Sequence, residues 1–171
     1  MKNLLWIFIV AASVIWYWYW GNIQDEVIAY NDGVIDLLDE ANLHYEVYLN
    51  HLNKYYDGEK VDIGEMREAL DVLDSTHRNV IIKTGQLNIP DHEECNVFHQ
   101  AFIKYLDNSS EIIARYDEIT SYIESHNPAT EGDVEEVDLV INPLLEKDNN
   151  LFTGITDAQN VMAKKFKFDL E

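Results

Sequence analysis

The chain has 171 residues, 47% of them hydrophobic, with only 3 Pro and 7 Gly. That length suits one domain with a sizeable core, and the scarcity of turn residues excludes a hairpin-rich all-β fold. The formal net charge is −20, and with Lys2 set apart the stretch from Asp25 onward carries 11 basic residues against 32 acidic ones, a net of −21. Such a surface repels phosphate backbones and excludes nucleic-acid binding.

The chain opens on an apolar run, Leu4 to Trp20, with no charge and one polar residue, Ser13. As a helix its 17 residues span roughly 25 Å, slightly short of a hydrocarbon core of about 30 Å. The block Trp16, Tyr17, Trp18, Tyr19 and Trp20, with Trp6 further up, has the amphipathic rings that favour a membrane–water interface. Residues 1–23 therefore read as an N-terminal transmembrane helix retained as a signal-anchor. Cleavage at Ala11-Ala12-Ser13 is the competing reading, and it would leave an aromatic new terminus exposed. Lys2 before the span and Asp25 and Glu26 after it place the N-terminus in the cytoplasm and the domain outside it, at the cell membrane.

Residues 24–171 read as an acidic, all-α, antiparallel up-down four-helix bundle. The first helix is expected over 24–56, with an apolar face at Val27, Tyr30, Val34, Leu37, Ala41, Tyr45, Tyr48, Leu52 and Tyr55, in steps of three and four. Asp57-Gly58 ends it. The second is expected over 62–84, capped by Asp62 with Glu65 reaching back, on a face of Ile63, Met66, Leu70, Leu73, His77 and Ile81. The third is expected over 91–126, capped by Asp91 with Glu94. Its stripe of Phe98, Phe102, Tyr105, Ser109, Ile112, Tyr116, Ile119 and Ile123 follows heptad spacing until Asn127-Pro128 stops it. The fourth is expected over 131–168, with Val134, Val137, Ile141, Leu144 or Leu145, Phe152, Ile155, Ala158, Met162 and Phe166 inward, and a kink or break at Pro143.

In that topology the fourth helix returns the C-terminus to the anchored end. Lys164, Lys165, Phe166, Lys167 and Phe168 form the domain's basic cluster, and they read as a contact with lipid head groups or a neighbouring membrane subunit. The alternative is that these lysines complement the helix dipole. A short membrane helix followed by a helical bundle resembles the layout of the LemA family, in architecture and without any shared motif.

The best chemical constellation is His92, Cys95 and His99, at i, i+3 and i+7 on one helix face, a set of imidazoles and a thiolate suited to zinc or copper. His44 and His51 lie seven apart on the first helix and share a face. His77, on an apolar stripe, reads as a satisfied core histidine. No nucleophile motif or phosphate loop is present, and no cofactor is expected. The chain thus reads as a non-enzymatic single-pass membrane protein whose bundle is an accessory or scaffolding subunit of a larger membrane or envelope complex. The alternatives are a metal- or cofactor-binding bundle using His92, Cys95 and His99, and a small-ligand sensor.

Overall fold

In the computed structural model, residues 2–170 are described, with side chains from Trp20 onward. Five α-helices follow in order: α1 (Lys2–Asn42), α2 (Tyr45–Tyr56), α3 (Ile63–Thr84), α4 (Glu93–Ser125) and α5 (Glu131–Phe166), with no strand among the described residues. No helix of the described residues is long and apolar enough to cross a membrane. Of the expected span, residues 4–19, with Trp6, Trp16, Tyr17, Trp18 and Tyr19, lie outside the described side chains, while Trp20 is half-buried.

Two apolar cores stack along the bundle. The proximal core joins Val27–Ala41 of α1 to Val80 of α3, Cys95–Leu106 of α4 and Ile155–Phe166 of α5. The distal core joins Tyr48–Tyr55 of α2 to Met66–Leu73 of α3, Ile112–Ile123 of α4 and Val137–Ile141 of α5. The start of the first rod thus meets the end of the second, the start of the third and the end of the last, which is the antiparallel up-down order expected of short connectors. All eight stripe residues of α4 are buried.

The first rod is broken where one helix was expected. Leu43 N donates to the Glu40 carbonyl at 3.3 Å, a tightened turn, before α2 starts at Tyr45. Leu43 is 66% exposed, so no packing holds the helical ladder there. The Asn42 side chain instead accepts a hydrogen bond from Tyr105 Oη at 3.1 Å. Asn and His are weak helix formers, and that tertiary bond decides the local conformation.

Capping differs too. Asp62 caps α3, accepting from Glu65 N at 3.2 Å, as expected. Helix α4 starts at Glu93 and its N-cap is His92, in extended conformation and without a side-chain cap bond. Asp91 stands one residue too early to reach the free amides. Glu93 and Glu94 supply negative charge to that first turn instead.

Helix α5 runs through Pro143 without the expected break. The ring removes the N–H that would pair with the Leu139 carbonyl, but both residues are exposed, so water satisfies the freed group. A reciprocal Thr130–Asp133 capping box starts the helix. It ends at Phe166 rather than 168, on Lys167 in the left-handed region at φ 57°.

Two side chains expected inward are corrected: Ile81 is 43% exposed and Val80 takes its place in the core, and Phe152 is 45% exposed. Of Leu144 and Leu145, Leu144 is the one packed against the core. The register drifts as a period of 3.6 departs from the stripe chosen.

Candidate functional site

The expected chemical residues lie at the proximal end. His92 packs its ring 5.0 Å from Phe166. Cys95 is a fully buried free thiol, and burial, followed by Glu94, pushes its pKa up to about 11. His99 stands with Nδ1 3.1 Å from Tyr30 Oη, its pKa lowered by burial. His92 thus turns to α5, while Cys95 and His99 both lie near Tyr30 of α1. No group of three His, Cys, Asp or Glu side chains among the described residues is arranged to hold a metal ion. Buried and protonated at neutral pH, Cys95 packs here as a small apolar residue.

The C-terminal cluster divides. Phe166 is buried, 1% exposed, and stacks 6.3 Å from Trp20, so it belongs to the core and not to an outward contact. Phe168 is half-buried. Lys165 pairs with Glu94, while Lys164 and Lys167 are exposed. Gln24 Nε2 donates to the Lys167 carbonyl at 2.9 Å, tying the end of the last helix to the start of the domain.

Between the two cores lies a polar layer that sequence reasoning missed. Asn108, 2% exposed, donates from Nδ2 to Asp148 Oδ1 at 3.0 Å, while its own Oδ1 has no partner among the described residues. Burial holds the Asp148 carboxyl above the usual range, opposed by the Asn108 bond. Tyr105 reaches Asn42 in the same layer, and its pKa is raised by burial and then by Asp148. Burial, then Tyr116, raises Tyr45. The signal was available in the sequence: Ile141, Leu144, Asp148, Leu151 and Ile155 advance in threes and fours, which places a carboxylate on the inward face of α5. Asn108-Ser109-Ser110 also matches a glycosylation sequon, and Asn108 and Ser109 are buried in this layer with Ser110 half-buried.

His77 borders the layer at 2% exposure. Its Nε2 stands 3.0 Å from the Leu106 carbonyl and 2.9 Å from Ser110 Oγ. A carbonyl only accepts, so the hydrogen bonds assign the proton to Nε2. Nδ1 is then a buried acceptor without a partner among the described residues. Burial lowers the pKa, opposed by the Leu106 bond and by Asp74.

Several interhelical grooves open on the surface. One of about 480 Å³ lies between α3 and α4, lined by Asp71, Asp74, His77 and Asp117 among others. A second, of about 700 Å³, lies between α4 and α5 around Val97, Ala101, Lys104 and Leu151. A third, of about 350 Å³, lies between α2 and α3 and brings His44 and His51 together with Glu65 and Glu68. His44 and His51 do share a face, but it meets α3, not the helix that carries His92, Cys95 and His99.

Compared with known proteins, the chain matches no family model, no curated protein and no solved structure.

Proposed function

We propose that this is a non-enzymatic accessory or scaffolding subunit. The segment 4–20 holds it at a membrane, and its acidic bundle, outside the cytoplasm, docks onto a basic protein partner in a larger membrane or envelope assembly. The observation that carries the reading is unbalanced charge on a well-packed bundle. Arg67, Arg78, Lys83, Arg115, Lys147 and Lys165 are each bound to carboxylates of the domain itself. With 11 basic residues against 32 acidic ones from Asp25 onward, most carboxylates stay unmatched. That field steers a basic partner and repels an anionic one.

The test is purification of the tagged full chain from its native membranes in mild detergent, at low and high salt. The expected result is a stoichiometric basic partner that is lost near 1 M salt, where the Debye length falls to about 3 Å. A solitary protein at every salt concentration would overturn the proposal.

The exposed lysines of the tail extend it. Lys164 and Lys167 project from the end of the bundle that carries Trp20, and they suit contact with anionic head groups at that membrane. Changing both to Glu should weaken cosedimentation with anionic vesicles while leaving the fold intact. Unchanged cosedimentation would remove the contact.

A further inference from the structure

We infer that the α2–α3 groove seats a basic amphipathic helix of the partner. This deepens the docking reading above and rests on it. The groove is lined by His44, Val47, His51, Glu65, Glu68 and Val72, with Ala69 beside them. No lysine or arginine lines it, and among the described residues neither Glu65 nor Glu68 forms an ion pair. Two other grooves differ in this respect, whereas the α4–α5 groove around Ile119 and Val140 and the α5 surface around Leu139 likewise have no basic lining residue. On the α3–α4 side, Asp74 is held by Arg78 and Asp117 faces Arg67. The α4–α5 groove around Ala101 carries Lys104 itself.

The apolar part of the lining is open. Val47 is 48% exposed and Val72 is 40% exposed, with Leu43 nearby in sequence at 66%. Two exposed valines facing each other across paired helices make a slot for an apolar side chain presented at helical spacing. The carboxylates on α3 then meet lysine or arginine one turn along the incoming helix. Charge complementarity of this kind selects a basic occupant and rejects an acidic one.

A separate observation points to a ligand. His51 lines the groove at 9% exposure, and its Nδ1 has no hydrogen-bond partner among the described residues. A buried polar atom left unpaired costs stability, and natural folds nearly always satisfy it. That nitrogen is closed off from the groove as the ring stands, and a docked helix that turns the imidazole outward would give it a partner.

The experiment uses the full chain in nanodiscs of zwitterionic lipid. The probe is a helical peptide of alanine, valine and lysine, about 18 residues or five turns long, too polar to partition into that lipid. Empty nanodiscs serve as the blank. NMR of the ¹⁵N-labelled chain should show shifts at His44, Val47, His51, Glu65, Glu68 and Val72. The double variant Glu65→Lys/Glu68→Lys should bind about tenfold more weakly or worse, and Val72→Asp should also lose affinity. Glu135→Lys/Asp138→Lys reverses two acidic residues on α5 beside exposed Leu139 and should leave binding unchanged.

Equal weakening by both charge reversals would overturn the groove assignment, because the general negative field would then explain the attraction. So would shifts confined to other helices, or no binding. None of these results touches the partner recovered from native membranes, so failure of the groove and failure of the docking reading are told apart.

Discussion

The two cores of this bundle solve the same packing problem with different side chains. The proximal core is largely dry, built from Phe98, Phe102, Phe166, Met162 and aliphatic residues around the Cys95 thiol. The distal core is built on tyrosines, with Tyr48 and Tyr116 stacked at 4.3 Å and Tyr55 fully buried. Tyr48 Oη donates to the Tyr116 carbonyl at 3.0 Å and lies 3.0 Å from Thr120 Oγ1. Tyrosine adds a polar end to a large apolar ring, so a buried hydroxyl calls for a partner; Tyr48 has one, and Tyr55 Oη has none among the described residues. The distal half therefore joins a directional bond at its centre to volume. The proximal half is filled mainly by apolar volume, with its hydrogen bonds at the margin, from Tyr30 to His99 and from Gln159 to Asn31, and with the return of the C-terminus to Trp20 and Gln24.

The sharpest way to break the comparison is to hollow each core. Phe102→Ala and Tyr116→Ala should each cost about 3–5 kcal/mol, read by urea unfolding followed through far-UV circular dichroism. A shared fold predicts one transition for either variant. A split transition in one variant would show that the polar layer uncouples the halves.

A smaller effect singles out the distal end. Asn127 bridges the connectors there, accepting from Val61 N at 2.9 Å and donating to the Val61 carbonyl at 2.7 Å. Asn127→Ala should cost about 1–3 kcal/mol and release the Val61 amide to hydrogen exchange, leaving proximal amides protected. Equal loss of protection at both ends would merge the two regions into one.

The polar layer should respond to pH with two opposite signs. Because burial raises the Asp148 carboxyl, its contribution to stability is full at low pH and is lost as the pH rises through the raised value. Asp148→Asn should raise Tm by about 2–4 °C at pH 7, a gain that disappears below about pH 4. His77 has a lowered pKa, so its contribution is present above about pH 6.5 and is lost as the pH falls through the lowered value. Thermal melts from about pH 3 to 8 check both. The smallest effect should come from Leu43→Ser at the junction of α1 and α2, within about 0.5 kcal/mol of wild type by the same melts. A larger loss would mean that the junction shares in the core.

The helical faces were legible because periodicity is a local signal. Phe98 to Ile123 on α4 and the Asp62 cap needed only neighbouring residues to be read. The break after Asn42 was not legible, because its cause is Tyr105, 63 positions away. The passage of α5 through Pro143 turned on which face the proline occupies, and a short stretch of sequence leaves that open. The candidate groove was half legible: His44 and His51 share a face by spacing, but Glu65 and Glu68 join them only through the pairing of α2 with α3. The layer around Asp148 is present in the spacing, but a carboxylate on the inward face interrupts the apolar pattern that marks such a face.

The bond from Gln24 to the Lys167 carbonyl, beside the Trp20–Phe166 stack, also decides how the domain bears load. Both chain ends leave from one pole, on helices that run in opposite directions. Tension between them peels α1 from α5 one turn at a time instead of shearing the whole interface at once. A bundle pulled at these two ends would unzip from that pole at low force, while a pull through the α2–α3 groove would pass across the packed distal tyrosines. The same fold is thus soft along one axis and stiff along another, and where a partner grips it determines which of the two it feels.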